Sequence, residues 1–260
     1  MERFSDRRVL VTGAGSGIGQ ATVARLLDEG GTVVAFDVSA DGLAVTYQAA
    51  EEAGTAKRLS TAVLDVSDEE AVNAVVAQSI SELGGLEVLV NAAAIQRCAH
   101  THQHTLADWN ATLAVNLTGT FLMVRAALPA LLESGRGVVV NFTSTSASFA
   151  HPYMSAYAAS KGGILAFTHC LALEYAKQGL RAVNIQPGGV STALALSTLD
   201  KMPDGYDLGL WAKQTPILPQ GDGGVLGEPS KVASVIAMAA SDDGAFITGT
   251  EIRIDGGAHA

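Results

Sequence analysis

The chain is poor in cysteine, charge and aromatic residues, and each shortage removes a class of protein. Only Cys98 and Cys170 are present among 260 residues, too few for a disulfide framework or a cysteine-built metal site, so both read as reduced, half-buried thiols. Charged residues make up 16% and aromatic residues 5%, yet hydrophobic residues reach 48%, which excludes disorder. The 26 acidic residues outnumber the 16 basic ones, for a formal net charge of −10, and no basic cluster stands out. That balance argues against a nucleic-acid or anionic-membrane partner. No uninterrupted apolar run approaches bilayer length, and Met1-Glu2-Arg3-Phe4-Ser5-Asp6 lacks the apolar segment of a signal peptide. A cytoplasmic protein with neither nucleic-acid nor membrane partner is expected.

Glycine, by contrast, is plentiful, with 28 residues, and it gathers in Thr12-Gly13-Ala14-Gly15-Ser16-Gly17-Ile18-Gly19. Arg8 to Val11 reads as a buried strand entering this run. Gln20 to Leu27 reads as a helix leaving it, with Val23, Leu26 and Leu27 on one face. A strand, a glycine turn and a helix form a phosphate site: glycine permits close backbone approach, and the free N–H groups of a helix start attract an anion.

The rest of the chain repeats the alternation. Strands are expected at 32–36, 58–64, 86–91, 137–144, 181–186 and 250–254, and helices at 41–53, from Ser67 to about Leu83, 105–133, 155–177 and from Glu228 onward. Ser67 and Glu70 have the form of a capping box. Asn116, inside the long helix, competes for backbone hydrogen bonds and needs a reason to be there. Gly162-Gly163 is costly inside a helix and calls for the close approach of another backbone, a second subunit being one source. Between about 189 and 227 the chain is irregular and long enough to serve as a substrate lid.

Repeated right-handed β-α-β crossovers predict a single α/β domain over residues 1–260. Its centre is a doubly wound parallel sheet of the Rossmann type, about seven strands flanked by helices on both faces. In such a sheet ligands bind at the carboxyl ends of the strands. Gly13, Asp37, Asp65, Asn91, Ser144 and Pro187 all sit at such ends and should converge on one cleft. Asp37 lies 24 positions after Gly13, about where a dinucleotide fold sets a carboxylate on the adenosine ribose. Neither Ser16 nor Val38 offers a cation for an extra ribose phosphate, which favours NAD over NADP. Tyr157 and Lys161, four apart, share one helix face toward the same cleft.

Thr12-Gly13-x-x-x-Gly17-x-Gly19, Asp65, Asn91-Ala92-Ala93, Asn116, Ser144, Tyr157-x-x-x-Lys161 and Pro187-Gly188, in this order, resemble the short-chain dehydrogenase/reductase family over the whole chain. The interval of 13 positions from Ser144 to Tyr157 matches its pattern. The resemblance implies NAD(P)-dependent alcohol oxidation or carbonyl reduction by a homotetramer or homodimer, with Asn116, Ser144, Tyr157 and Lys161 as the catalytic tetrad. It also implies cofactor contacts from Gly13, Ser16, Gly17, Ile18, Gly19, Asp37, Asp65, Val66, Asn91, Tyr157, Lys161, Pro187, Gly188, Val190 and Thr192.

The chemistry suits these residue types. A free tyrosine, with a pKa of about 10, is a poor base at neutral pH, and a nearby ammonium and the positive nicotinamide stabilise its phenolate. Ser144 can donate to the substrate oxygen as charge develops. By resemblance, Lys161 also holds the nicotinamide ribose, and Asn116 holds a water that links Lys161 to solvent. The expected activity is hydride transfer between NAD and a secondary alcohol or ketone, with Tyr157 as general acid and base.

Two alternatives stand beside it: an NADP-dependent 3-oxoacyl carrier-protein reductase and a non-catalytic dinucleotide sensor or scaffold. No metal is expected, because no acidic or cysteine ligand accompanies His100, His102 and His104. Leu194, Leu196, Leu199, Met202, Tyr206, Leu208, Leu210 and Trp211 of the lid, with Lys201 and Lys213, suggest a medium-sized, largely apolar substrate or else simple core packing. His151, Met154 and Gln96 are candidates for the same pocket.

Overall fold

The computed structural model describes residues 2–220 and 224–260. Met1 and positions 221–223 of the expected lid lie outside the described residues. Seven strands, β1 (Arg8–Thr12), β2 (Thr32–Asp37), β3 (Leu59–Val63), β4 (Val88–Asn91), β5 (Val138–Phe142), β6 (Arg181–Pro187) and β7 (Thr250–Ile254), form one wholly parallel sheet in the order β3-β2-β1-β4-β5-β6-β7. Strands β1, β4, β5 and β6 are apolar along most of their length because helices cover both faces, whereas the edge strands β3 and β7 are largely half-buried or exposed.

Side chains along a strand alternate between faces, and two cores result. Val9 and Val11 pack with Val23, Leu26 and Leu27 of α1 (Gly17–Asp28), Leu43 of α2 (Ala40–Glu52) and Val232 and Ile236 of α9 (Pro229–Ala240). Leu10, one residue over, packs on the opposite face with Val72 and Val76 of α3 (Glu69–Leu83), Leu122 and Met123 of α5 (Gly119–Glu133) and Leu171 of α6 (Ser155–Tyr175). The strand order reverses at β1, which pairs with β2 on one side and β4 on the other. The carboxyl ends of these strands therefore splay around a crevice at the switch point.

Three local expectations need correction. The third helix is capped by Asp68, whose side chain accepts from Ala71 N at 3.0 Å, and not by Ser67, whose hydroxyl donates to Asp65 Oδ1 at 2.6 Å. Asp65 recruits Ser67 into its own turn, so the cap shifts by one residue. Asp68→Ala is accordingly expected to cost about 1 kcal/mol, and Ser67→Ala only a few tenths, in denaturant unfolding.

The helix expected at 105–133 is capped by Thr105 and starts as α4 (Leu106–Leu113). It then widens into a π-helical turn at Ala114–Thr118, centred on Asn116, before α5 continues. By length and composition, Leu106–Glu133 is apolar enough to cross a membrane, at mean hydropathy 1.4. Here, however, Leu122, Met123, Val124, Ala127 and Leu131 are buried against the sheet, and Arg125 pairs with Glu69 at 2.6 Å. At the glycine pair, a Cβ on Gly163 would lie 2.8 Å from the Leu117 side chain, while one on Gly162 would meet nothing within 4 Å. Within the chain, the side chain of Leu117, rather than a stretch of backbone, is what approaches Gly163.

Candidate active site

The glycine run leaves β1 as a cradle. Thr12 Oγ1 accepts from Ala92 N at 3.1 Å and Ala93 N at 3.2 Å, which draws the end of β4 against the run. At this junction Gly13 has φ +65° and a Cβ would sit 2.7 Å from Ala93 N, so only glycine fits. Ser16 precedes α1 but makes no side-chain cap, leaving the first-turn N–H groups to a ligand. At the end of β2, Asp37 accepts from Gly15 N and Ser39 N, both at 2.9 Å. Its carboxylate is thus fixed beside the run.

Asp65 accepts from Ser67 N at 2.9 Å, and Val66 packs where a Cβ on Gly119 would intrude to 2.7 Å. A cavity of about 630 Å³ joins Gly13, Ser16, Gly17, Ile18, Gly19, Asp37, Asp65 and Val66 to Ser144, Tyr157, Lys161, Pro187, Gly188, Val190 and Thr192. Thr192 caps the short helix α7 (Ala193–Leu196), and its methyl lies 3.1 Å from the place a Cβ on Gly17 would take. The start of the lid therefore meets the glycine run. An uncapped helix start, a close-packed glycine cradle and an amide-held carboxylate together fit the pyrophosphate and ribose of a dinucleotide.

At the reacting end, Tyr157 shares a hydrogen bond with Ser144, whose hydroxyl also accepts from Ser146 N at 3.2 Å. Lys161 is buried, donates through Nζ to Phe142 O at 2.8 Å and lies 5.6 Å from the Tyr157 ring centroid. Burial pushes the Tyr157 phenol up to about 12, partly offset by Ser144, and pulls Lys161 down to about 7. In the protein alone, desolvation thus favours the neutral form of each.

Two of the expected site residues do not border the cavity. Asn91 donates to Asn141 Oδ1 at 2.9 Å within the sheet. Asn116 accepts from Ile95 N at 2.8 Å and donates to Ile95 O and Ser160 Oγ, both at 3.0 Å. Both amide protons are spent on binding the loop after β4 to α6, and the π-helical turn lets that amide reach them. Only a lone pair of Oδ1 remains for a water.

Of the lid residues, Leu194, Leu196, Leu199 and Trp211 border the cavity. Leu208 and Leu210, in α8 (Leu208–Ala212), are exposed and do not, nor do Lys201 and Lys213. Gln96, His151 and Met154 line the pocket as expected, joined by Thr145, Thr198, Gln214 and Thr215. Gln96 donates to Thr198 Oγ1 at 3.3 Å, whereas Gln214 Nε2 is buried without a partner among the described residues.

A clasp closing the lid was not foreseen from sequence. Tyr153, at φ +68°, accepts from Asp207 N at 2.8 Å through its hydroxyl, and His100 Nε2 lies 3.1 Å from Asp204 O, its ring edge-on to Tyr153. The histidine loop thus meets lid backbone, and among the described residues no group of three His, Cys, Asp or Glu is placed to hold a metal.

Parallel topology, the glycine cradle and the Ser144–Tyr157–Lys161 cluster define a nucleotide-dependent oxidoreductase, and comparison with known proteins gives the family. The chain belongs to the short-chain dehydrogenases, whose family model matches residues 7–202. It is 33% identical to levodione reductase of Leifsonia aquatica, covering 99% of this chain and 96% of that protein. It is 34% identical to a 3-oxoacyl-[acyl-carrier-protein] reductase of Thermotoga maritima, covering 98% of each, and 35% identical to D-threitol dehydrogenase of Mycolicibacterium smegmatis, covering 98% and 94%. A crystal structure of levodione reductase superposes with a TM-score of 0.88, at 33% identity over 98% of each chain. The protein is a short-chain dehydrogenase/reductase and, as such, an oxidoreductase that uses a nicotinamide cofactor.

Proposed function

We propose that the protein is an NAD-dependent dehydrogenase that interconverts a secondary alcohol and a ketone, with Tyr157 as general acid and base. One observation carries this reading: Ser144, Tyr157 and Lys161 border the same cavity as the glycine run and Asp37, and Lys161 is the only lysine or arginine among its described lining residues. An extra ribose phosphate would meet Asp37 and find no cation, which supports NAD over NADP.

When bound, the nicotinamide accepts or returns the hydride. Ser144 donates to the substrate oxygen, Tyr157 takes or returns its proton, and Lys161 holds the ribose and stabilises the phenolate. Gly13, Ser16, Gly17, Ile18 and Gly19 cradle the pyrophosphate, and Asp65 and Val66 flank the adenine. Pro187, Gly188, Val190 and Thr192 shape the nicotinamide side. Asn116 orders the loop after β4 and offers its remaining lone pair to the water that links Lys161 to solvent. Asn91 acts indirectly, by holding the end of β4 to β5.

A homotetramer is the assembly favoured by exposed Phe121, Leu173 and Phe246 and by the free edge of β7. Two free cysteines suit a cytoplasmic setting. A second reading, an NADP-dependent 3-oxoacyl carrier-protein reductase, draws on the Thermotoga maritima relative. It is opposed by Asp37 and by the net charge of −10, which would repel an acidic carrier.

The test is a panel of secondary alcohols, ketones and a 3-oxoacyl thioester, assayed with both dinucleotides by the absorbance of reduced nicotinamide. Turnover of alcohols or ketones with NAD(H) is expected. Turnover confined to the thioester with NADPH would replace the first reading by the second.

A further inference from the structure

The chain after β7 packs behind His151, a residue of the cavity wall, in an arrangement that the proton-transfer residues do not use. There the chain turns about Asp255, which accepts from Gly257 N at 3.0 Å and His259 N at 3.2 Å and lies 3.2 Å from His259 Nδ1. This turn lays the His259 ring between two others. Phe149 stacks on it at 4.3 Å and 22°, and His151 at 5.6 Å and 14°. The Arg253 guanidinium lies 5.3 Å over Phe149, so a four-group stack ends in His151, which borders the cavity.

His151 Nε2 lies 3.2 Å from Thr145 Oγ1, on the residue directly after Ser144, and Nδ1 has no hydrogen-bond partner among the described residues. Burial and the neighbouring His259 pull the His151 imidazole down to about 4, so at neutral pH it is an uncharged donor and acceptor. With Lys161 the only described lining lysine or arginine, a carboxylate or phosphate on the substrate would find no second cation. A neutral oxygen, by contrast, would find His151. Gln214 points the same way independently: its buried, unpartnered Nε2 in the lining calls for an acceptor on the ligand.

We propose that His151 determines specificity by hydrogen-bonding a second, uncharged oxygen of the substrate, a hydroxyl or carbonyl close to the reacting carbon, and that His259, held by Asp255, positions the His151 ring. This rests on the dehydrogenase reading of the same cavity. The substrate class is then a diol, hydroxyketone or diketone.

The test compares cyclohexane-1,2-diol and cyclohexane-1,3-diol with cyclohexanol, on protein saturated with NAD. Binding is read from the fluorescence of Trp211, which lines the cavity, and turnover is followed in parallel. Wild-type protein is expected to bind one of the diols about tenfold tighter than cyclohexanol, the worth of one good hydrogen bond. His151→Phe, which keeps a stacking ring, should abolish that preference, so that diol and cyclohexanol bind alike. His259→Ala should raise KM for the diol without lowering kcat on cyclohexanol.

A preference that disappears in His151→Phe supports the anchor even where neither compound is turned over; the dehydrogenase reading would then fail while the anchor stands. A wild-type protein that prefers no diol, or a His151→Phe protein that still does, overturns the anchor. An unchanged diol KM in His259→Ala overturns the positioning role.

Discussion

Replacing Tyr157 by phenylalanine is expected to lower turnover roughly 10³-fold, within the range of lost general acid–base catalysis, while leaving NAD binding nearly intact. The substitution removes one oxygen and keeps the ring, so a fall in kcat alone separates proton transfer from packing. The pH profile supplies a second test. Burial drives Tyr157 toward about 12 and Lys161 toward about 7, away from the phenolate–ammonium pair that alcohol oxidation needs.

A phenolate at Tyr157 and an ammonium at Lys161, whose Nζ lies 5.6 Å from the Tyr157 ring centroid, would stabilise each other. Oxidation requires the deprotonated base, and its kcat/KM should therefore rise with pH; ketone reduction requires the acid and should fall. Removing the ammonium in Lys161→Met destabilises the phenolate and raises its pKa, so the rise in oxidation should move to higher pH. A profile that stays in place would mean that Lys161 does not tune the base.

The second large effect is expected at the cofactor's ribose. Asp37→Ser combined with Val38→Arg should lower the ratio of kcat/KM with NAD to that with NADP by roughly 10²- to 10³-fold, because it replaces a like-charge clash with a cation. Val38 is 70% exposed, so arginine there displaces no core contact. Serine at position 37 keeps one acceptor oxygen in place of the two with which Asp37 now binds the Gly15 and Ser39 amides. Steady-state kinetics with both dinucleotides checks the ratio. An unchanged ratio would remove Asp37 from cofactor selection.

The fold was legible because its signals are local and periodic. Apolar runs such as Val138-Val139-Val140 ended where polar strand ends begin, and glycines marked the joints, so the sheet and the crevice at its switch point followed. The cluster of Ser144, Tyr157 and Lys161 was legible for the same reason, since strand ends and one helix face must converge. What stayed hidden depends on partners far apart in sequence. Asp65 takes Ser67 out of its expected cap, the Leu117 side chain fills the space beside Gly163, and Asn91 turns to Asn141, 50 positions away. The Tyr153–Asp207 clasp and the stack that carries His259 to His151 likewise join segments with no shared period.

Transfer of a carbon-bound hydrogen is most directly tested with a secondary alcohol deuterated at its carbinol carbon, chosen from the active members of the panel. The alcohol is incubated with the protein and NAD, and the reduced dinucleotide is weighed by mass spectrometry. Direct transfer between substrate and nicotinamide predicts reduced dinucleotide that carries the deuterium, and none in the Tyr157→Phe protein over the same interval. Reduced dinucleotide without deuterium, or label accumulating as fast without the Tyr157 hydroxyl, would contradict hydride transfer with Tyr157 as its base.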